Sequence, residues 1–137
     1  MYSFFGLFAD PVDELAARCK AVWPGLQPML VADPASLLGL RFDPEFYVPE
    51  DEDIPDAVSA RIIALSREYP AVRFVVLRTE CFGGLCSNWG YIAQAGDVTR
   101  REKGDGALSQ LMAVFEIDLG SAEIFAPLTR DFPWPQR

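Results

Sequence analysis

Seven carboxylates fall within fourteen residues: Asp43, Glu45, Glu50, Asp51, Glu52, Asp53 and Asp56, with no Lys or Arg among them. The chain carries 20 acids and 12 bases, a net charge of −8 at pH 7, so this window holds nearly all of the excess. Carboxylates packed this densely repel one another. The positive end of a helix dipole accounts for two or three of them. The rest are more than folding requires, and they suit an anionic surface that steers a basic partner into contact. The competing reading is a solvated loop leading into a helix. A divalent-cation loop is a third reading, but residues 50–56 lack the glycine and ligand spacing of an EF-hand, so no metal is expected. The same net charge repels phosphate backbones and argues against a nucleic-acid partner.

The chain has no histidine. That excludes Ser-His-Asp and Cys-His catalysis, imidazole general bases and His-ligated zinc. Three cysteines remain: Cys19, Cys81 and Cys86. The last two bracket Phe82-Gly83-Gly84-Leu85. They read either as a nucleophile beside a backbone anion nest or as small apolar residues of a bulged hairpin. Only Glu80 or a water stands nearby as a base, so no catalytic residue is expected. Twenty acids allow many carboxylate pairs, and spacing singles out none of them. FGGL and Gly104-Asp105-Gly106 lack the context and the Lys-Ser/Thr of a phosphate loop, and no cofactor is expected. Arg100, Arg101 and Lys103 read as a solvated strand end. Trp89 and Trp134 are candidate interface anchors, with Trp89 the aromatic assigned beside the acidic window. Trp23 lies on a helical stripe and reads as core.

The first residues lack the basic stretch of a secretory leader. No apolar run nears the ~20 residues of a membrane span. An odd cysteine count then predicts reduced thiols and a cytoplasmic location, with a local Cys81–Cys86 disulfide left open.

The elements that must position these residues follow from periodicity. Residues 1–9 read as a strand. Asp10 and Pro11 open a helix over 11–23, with Asp10 as its cap. Two short strands fall between prolines in 28–48, one at a sheet edge. PEDED opens a second helix whose stripe is Ile54, Val58, Ile62, Leu65 and Tyr69. Residues 72–79 are apolar on both faces, as in a central strand. Residues 88–95 pair back on them, and Val98 to Arg101 begin a further strand. Ala107 to Phe115 form a third stripe, and the tail is irregular, packed by Phe125 and Trp134. The length suits a single domain, 1–137. The expected architecture is α+β: an antiparallel sheet of about five or six strands with three helices mainly on one face.

Within this order, Phe74 to Glu80 run into Phe82-Gly83-Gly84, return through Trp89 to Ala95, and are followed by the helix Ala107 to Ile117. This arrangement resembles the small immunity proteins of bacterial polymorphic-toxin systems. The resemblance implies a non-enzymatic protein that binds a cognate toxin domain and blocks its active site. It carries over no contact residue, because such surfaces diverge with the toxin. The residues themselves nominate Glu50, Asp51, Glu52, Asp53, Asp56 and Trp89 for partner contact. Two alternatives stay open: a small enzyme using a cysteine or carboxylates, and a homo-oligomeric subunit.

Overall fold

The computed structural model describes residues 2–42, 54–120 and 123–135. Its frame is one antiparallel sheet of six strands in the order β2-β3-β1-β4-β5-β6. The strands are β1 (Tyr2–Ala9), β2 (Met29–Val31), β3 (Leu37–Arg41), β4 (Phe74–Phe82), β5 (Leu85–Gln94) and β6 (Asp97–Lys103). The helices are α1 (Leu15–Val22), α2 (Asp56–Glu68) and α3 (Ala107–Met112). The α+β expectation holds, and the short proline-flanked β2 lies at the edge.

The central strands are apolar at successive positions because both faces of the sheet are covered. Phe5, Leu7 and Ala9 of β1 and Phe74 and Val76 of β4 join α1 and α2 in one core. Phe4, Phe8, Val75 and Leu77 point the other way, into a second core with Leu108, Leu111 and Met112 of α3 and with Phe125 and Trp134 of the tail. Two helices thus share one face, and the third helix and the tail cover the other. β3 and β4 flank β1 and both run antiparallel to it, so the connection containing α2 crosses over β1.

Asp10 departs from its expected role. It does not cap a helix, because its carboxylate accepts bonds from the Arg73 backbone N–H at 2.7 Å and from Arg73 Nη2 at 2.7 Å. Charge-assisted bonds of this kind outweigh a neutral cap. Burial raises the Asp10 pKa, but the Arg73 bonds and charge overcome that and hold its carboxyl below the usual range. Freed from Asp10, the chain passes a left-handed Glu14 (φ 74°), and α1 begins only at Leu15.

Two hydrogen bonds set how α2 lies on β5. Ser59 Oγ meets the Tyr91 hydroxyl at 2.8 Å, and Ser66 Oγ accepts from Gly96 N–H at 2.9 Å in the β5–β6 turn. The helix therefore runs in the same direction as β5, and its start points toward the β4–β5 turn. Among the described residues, no helix is long and apolar enough to cross a membrane.

Candidate functional site: the β4–β5 hairpin end

β4 and β5 pair from Phe74↔Ala93 out to Phe82↔Leu85. Gly83 and Gly84 alone make the turn, at φ 60° and 84°. Two consecutive positive φ values belong to the tight turn whose twist matches the flanking strands, and glycine reaches them without a Cβ clash. The register runs without a bulge through this end. The irregularity in the sheet sits instead between Ile92 and Ala93 on the β5–β6 side.

Alternation sorts the hairpin end into two faces. On the α3 side, Thr79 Oγ1 donates to Asn88 Oδ1 at 2.7 Å, and one step further out Cys81 and Cys86 form a disulfide. Their Cα atoms are 4.0 Å apart, the close approach of directly opposed residues in an antiparallel pair. The expectation of three reduced thiols is therefore corrected at two positions. The register brings the two sulfurs face to face, which sequence spacing alone could not decide. Cys19 is the free cysteine; burial pushes its thiol up to about 11 despite the nearby Arg18 charge.

Beside the disulfide lies a groove of about 200 Å³, walled by Thr79, Cys86, Asn88, Leu108, Ile124 and Phe125 among others. Glu123 also reaches it, and its carboxylate accepts the Ser109 N–H at 3.0 Å in the first turn of α3. On the opposite side the hairpin presents Phe82 and Leu85, 74% and 80% exposed. With Ile124, they make up three of the five large exposed apolar side chains among the described residues. Concentration of such surface at one end of a packed core is the usual mark of a contact region.

Behind Phe82 and Leu85, on the α2 side, stands a rank of polar and aromatic groups. Arg78, Trp89 and Lys103 are cross-strand neighbours on β4, β5 and β6. The Arg78 guanidinium lies 5.1 Å and the Lys103 ammonium 5.8 Å from the Trp89 ring centre. Arg78 Nη2 also donates to Glu80 Oε1 at 2.6 Å, with both side chains buried. Arg101 stands 5.2 Å from the Tyr91 ring on the neighbouring rung. Cations over indole and phenol faces are attracted by the ring quadrupole.

Of the residues nominated for partner contact, Glu50, Asp51, Glu52 and Asp53 lie outside the described residues, as do Asp43 and Glu45. Asp56 is the first residue of α2 and is exposed. Trp89 shares its side of the sheet but is only 8% exposed, its ring occupied by Arg78 and Lys103. It is not an open anchor in the free protein. The second interface candidate, Trp134, is also 8% exposed, and its indole N–H donates to the Pro127 carbonyl at 3.0 Å. The apolar groups that do face solvent are Phe82 and Leu85. The signal that could have found them is the flanking cysteine pair: a tightly turned, bridged hairpin tip has no core to point into. Among the described residues, no cluster of three or more His, Cys, Asp or Glu side chains gathers. No family model, no curated relative and no solved structure matches the chain, so the chemistry of this site is read from its own residues.

Proposed function

We propose that this chain is a non-enzymatic, cytoplasmic immunity protein that binds a cognate bacterial toxin domain and occludes its active site. Attraction at a distance comes from the acidic window that contains Glu50, Asp51, Glu52, Asp53 and Asp56. Short-range affinity comes from Phe82 and Leu85, which take the place assigned to Trp89. The partner is a basic protein surface, with an apolar recess beside a cationic cleft of the kind that holds nucleic acid or a phosphorylated substrate.

The observation that carries this reading is the exposed apolar pair on a stiff hairpin end. An anchor held in place before contact loses little entropy on binding. The direction of α2 supports it as well, because the helix start that follows the acidic window points toward this same end of the sheet. Charge of one sign raises the rate of encounter, whereas desolvated apolar anchors set residence time. The cysteine-enzyme alternative loses support, because the chain has no histidine to activate a thiol and Cys19 is buried with a raised pKa.

The test measures association of the protein with any candidate toxin domain encoded by a neighbouring reading frame. Raising salt from 50 to 500 mM is expected to slow association about tenfold or more. Converting Glu50, Asp51, Glu52 and Asp53 to their amides should slow it similarly at low salt. Association that ignores salt removes the electrostatic steering. Absence of any complex at micromolar concentrations rejects the function.

A further inference from the structure

The disulfide closes only the last rungs of the hairpin. Cys81 and Cys86 are five residues apart in sequence, and beyond them stand one pair, Phe82↔Leu85, and the two turn glycines. Inward of the bridge the hairpin does not depend on it. Phe74, Val75 and Val76 are fully buried, and Ala93, Ile92 and Tyr91 oppose them. Outward of it nothing is buried: Phe82, Leu85 and Cys86 face solvent, and Cys81 is half-buried along the groove. Glycine has the most backbone freedom to lose, so a Gly-Gly turn is the segment that frays first when its constraint is removed.

We propose that the Cys81–Cys86 bridge is a reversible staple, opened by thiol–disulfide exchange with a low-molecular-weight thiol of the glutathione class, and that it governs how firmly Phe82 and Leu85 are presented. The functional consequence rests on the binding reading above. Cys86 is the more exposed sulfur and is the one attacked. A glutathione thiolate bonds to Cys86 Sγ as the Cys81–Cys86 bond breaks, and the electron pair leaves with Cys81, which takes a proton from water. A second glutathione thiolate then attacks the glutathione sulfur of this mixed disulfide. Oxidised glutathione departs, and Cys86 leaves as a thiolate that is protonated in turn. Two glutathione thiols are oxidised and one protein disulfide is reduced. Cys19 takes no part, because it is 1% exposed inside the core formed with α1 and α2, on the other side of the sheet.

The same device reconciles the bridge with a reducing compartment. There the bridged and open forms interconvert, and closing the staple stiffens the contact surface.

The experiment uses the full oxidised chain under native conditions. Reduced glutathione is added and free thiols are then trapped with iodoacetamide and read by mass spectrometry. The expected products are a transient glutathione adduct on Cys86, followed by alkylation of Cys81 and Cys86 with Cys19 unlabelled. Amide hydrogen exchange over residues 80–87 should speed up about tenfold or more on reduction, with residues 74–77 and 91–93 unchanged. The Cys81→Ser/Cys86→Ser variant should show the fast pattern and no response to glutathione. A bridge that resists glutathione until the protein is denatured overturns the proposal. So does a bridge that opens without changing exchange over 80–87. Binding the neighbouring toxin domain separates this proposal from the one beneath it. Slower dissociation from the bridged form supports the staple, and equal dissociation from both forms overturns it. If neither form binds while exchange and labelling behave as expected, the binding function fails and the redox chemistry stands.

Discussion

The two halves of the β4–β5 hairpin are continuous in sequence and register, yet they are held by different forces. The inner half, Phe74 to Leu77 against Gly90 to Ala93, is buried on both faces between α2 and α3. Its order comes chiefly from apolar area removed from water, with the Tyr91 hydroxyl tied to Ser59 of α2. The outer half keeps Arg78, Thr79, Glu80 and Trp89 buried and ends in the exposed Phe82 and Leu85. Its rungs are secured one at a time, by the Arg78 guanidinium over Trp89, the Thr79–Asn88 bond and finally the covalent Cys81–Cys86 bridge, with the Arg78–Glu80 ion pair running along β4 itself. The comparison teaches that a strand leaving its core must replace a cooperative, non-directional force with discrete links. Discrete links can be opened individually, and that is the kind of surface a regulated contact needs.

Substitutions can break this contrast, and their effects should fall off from the inner half outward. Phe74→Ala removes a ring with no exposed surface and should cost about 4 kcal/mol in urea denaturation, because the site lies in the packed centre of the sheet. Glu80→Gln breaks a buried ion pair from one side and should cost about 3 kcal/mol, short of the Phe74 value. If Glu80→Gln proves neutral, the outer half is not held by that pair.

The Asp10–Arg73 pair sits where β1 ends and β4 begins, and it sharpens the comparison through pH. Asp10→Asn should cost about 2 kcal/mol at pH 7. The folded pKa of Asp10 lies below its ordinary value of 3.8. Its contribution is therefore fully present above that value and is lost as pH falls through the folded pKa. The gap between wild type and Asp10→Asn should close below about pH 4, and a gap that persists there would remove the ion pair as its cause. Last and smallest, Leu85→Ser should change stability by less than about 0.5 kcal/mol, because the side chain is already in water. The same variant should weaken partner binding, which separates a contact residue from a structural one.

Much of this architecture was legible from residue patterns. The two-faced apolar run at 72–79 called for a central strand, and Phe74 to Leu77 are indeed buried. The stripe of Val58, Ile62 and Leu65 called for a buried helix face, and α2 supplies it. Trp23, Phe125 and Trp134 all pack where apolar aromatics should. Where the structure departs from the local pattern, the cause is specific. Asp10 looked like a cap because its competitor, Arg73, is 63 residues away in sequence. Trp89 looked like an interface anchor because its type favours one, and no local signal told that Arg78 and Lys103 would stand against it on neighbouring strands.

Periodicity, turn residues and composition by themselves determined the strands and helices, the alternation of apolar faces, the absence of imidazole chemistry and the crowding of negative charge before α2. These are local or additive properties, readable one residue at a time. Only the tertiary structure decided that Cys81 and Cys86 are joined, that Phe82 and Leu85 are left in solvent, and that Trp89 is covered. Each of those depends on strand register and on where the flanking helices stop. Both are set by long-range packing, which brings together residues that no spacing along the chain relates.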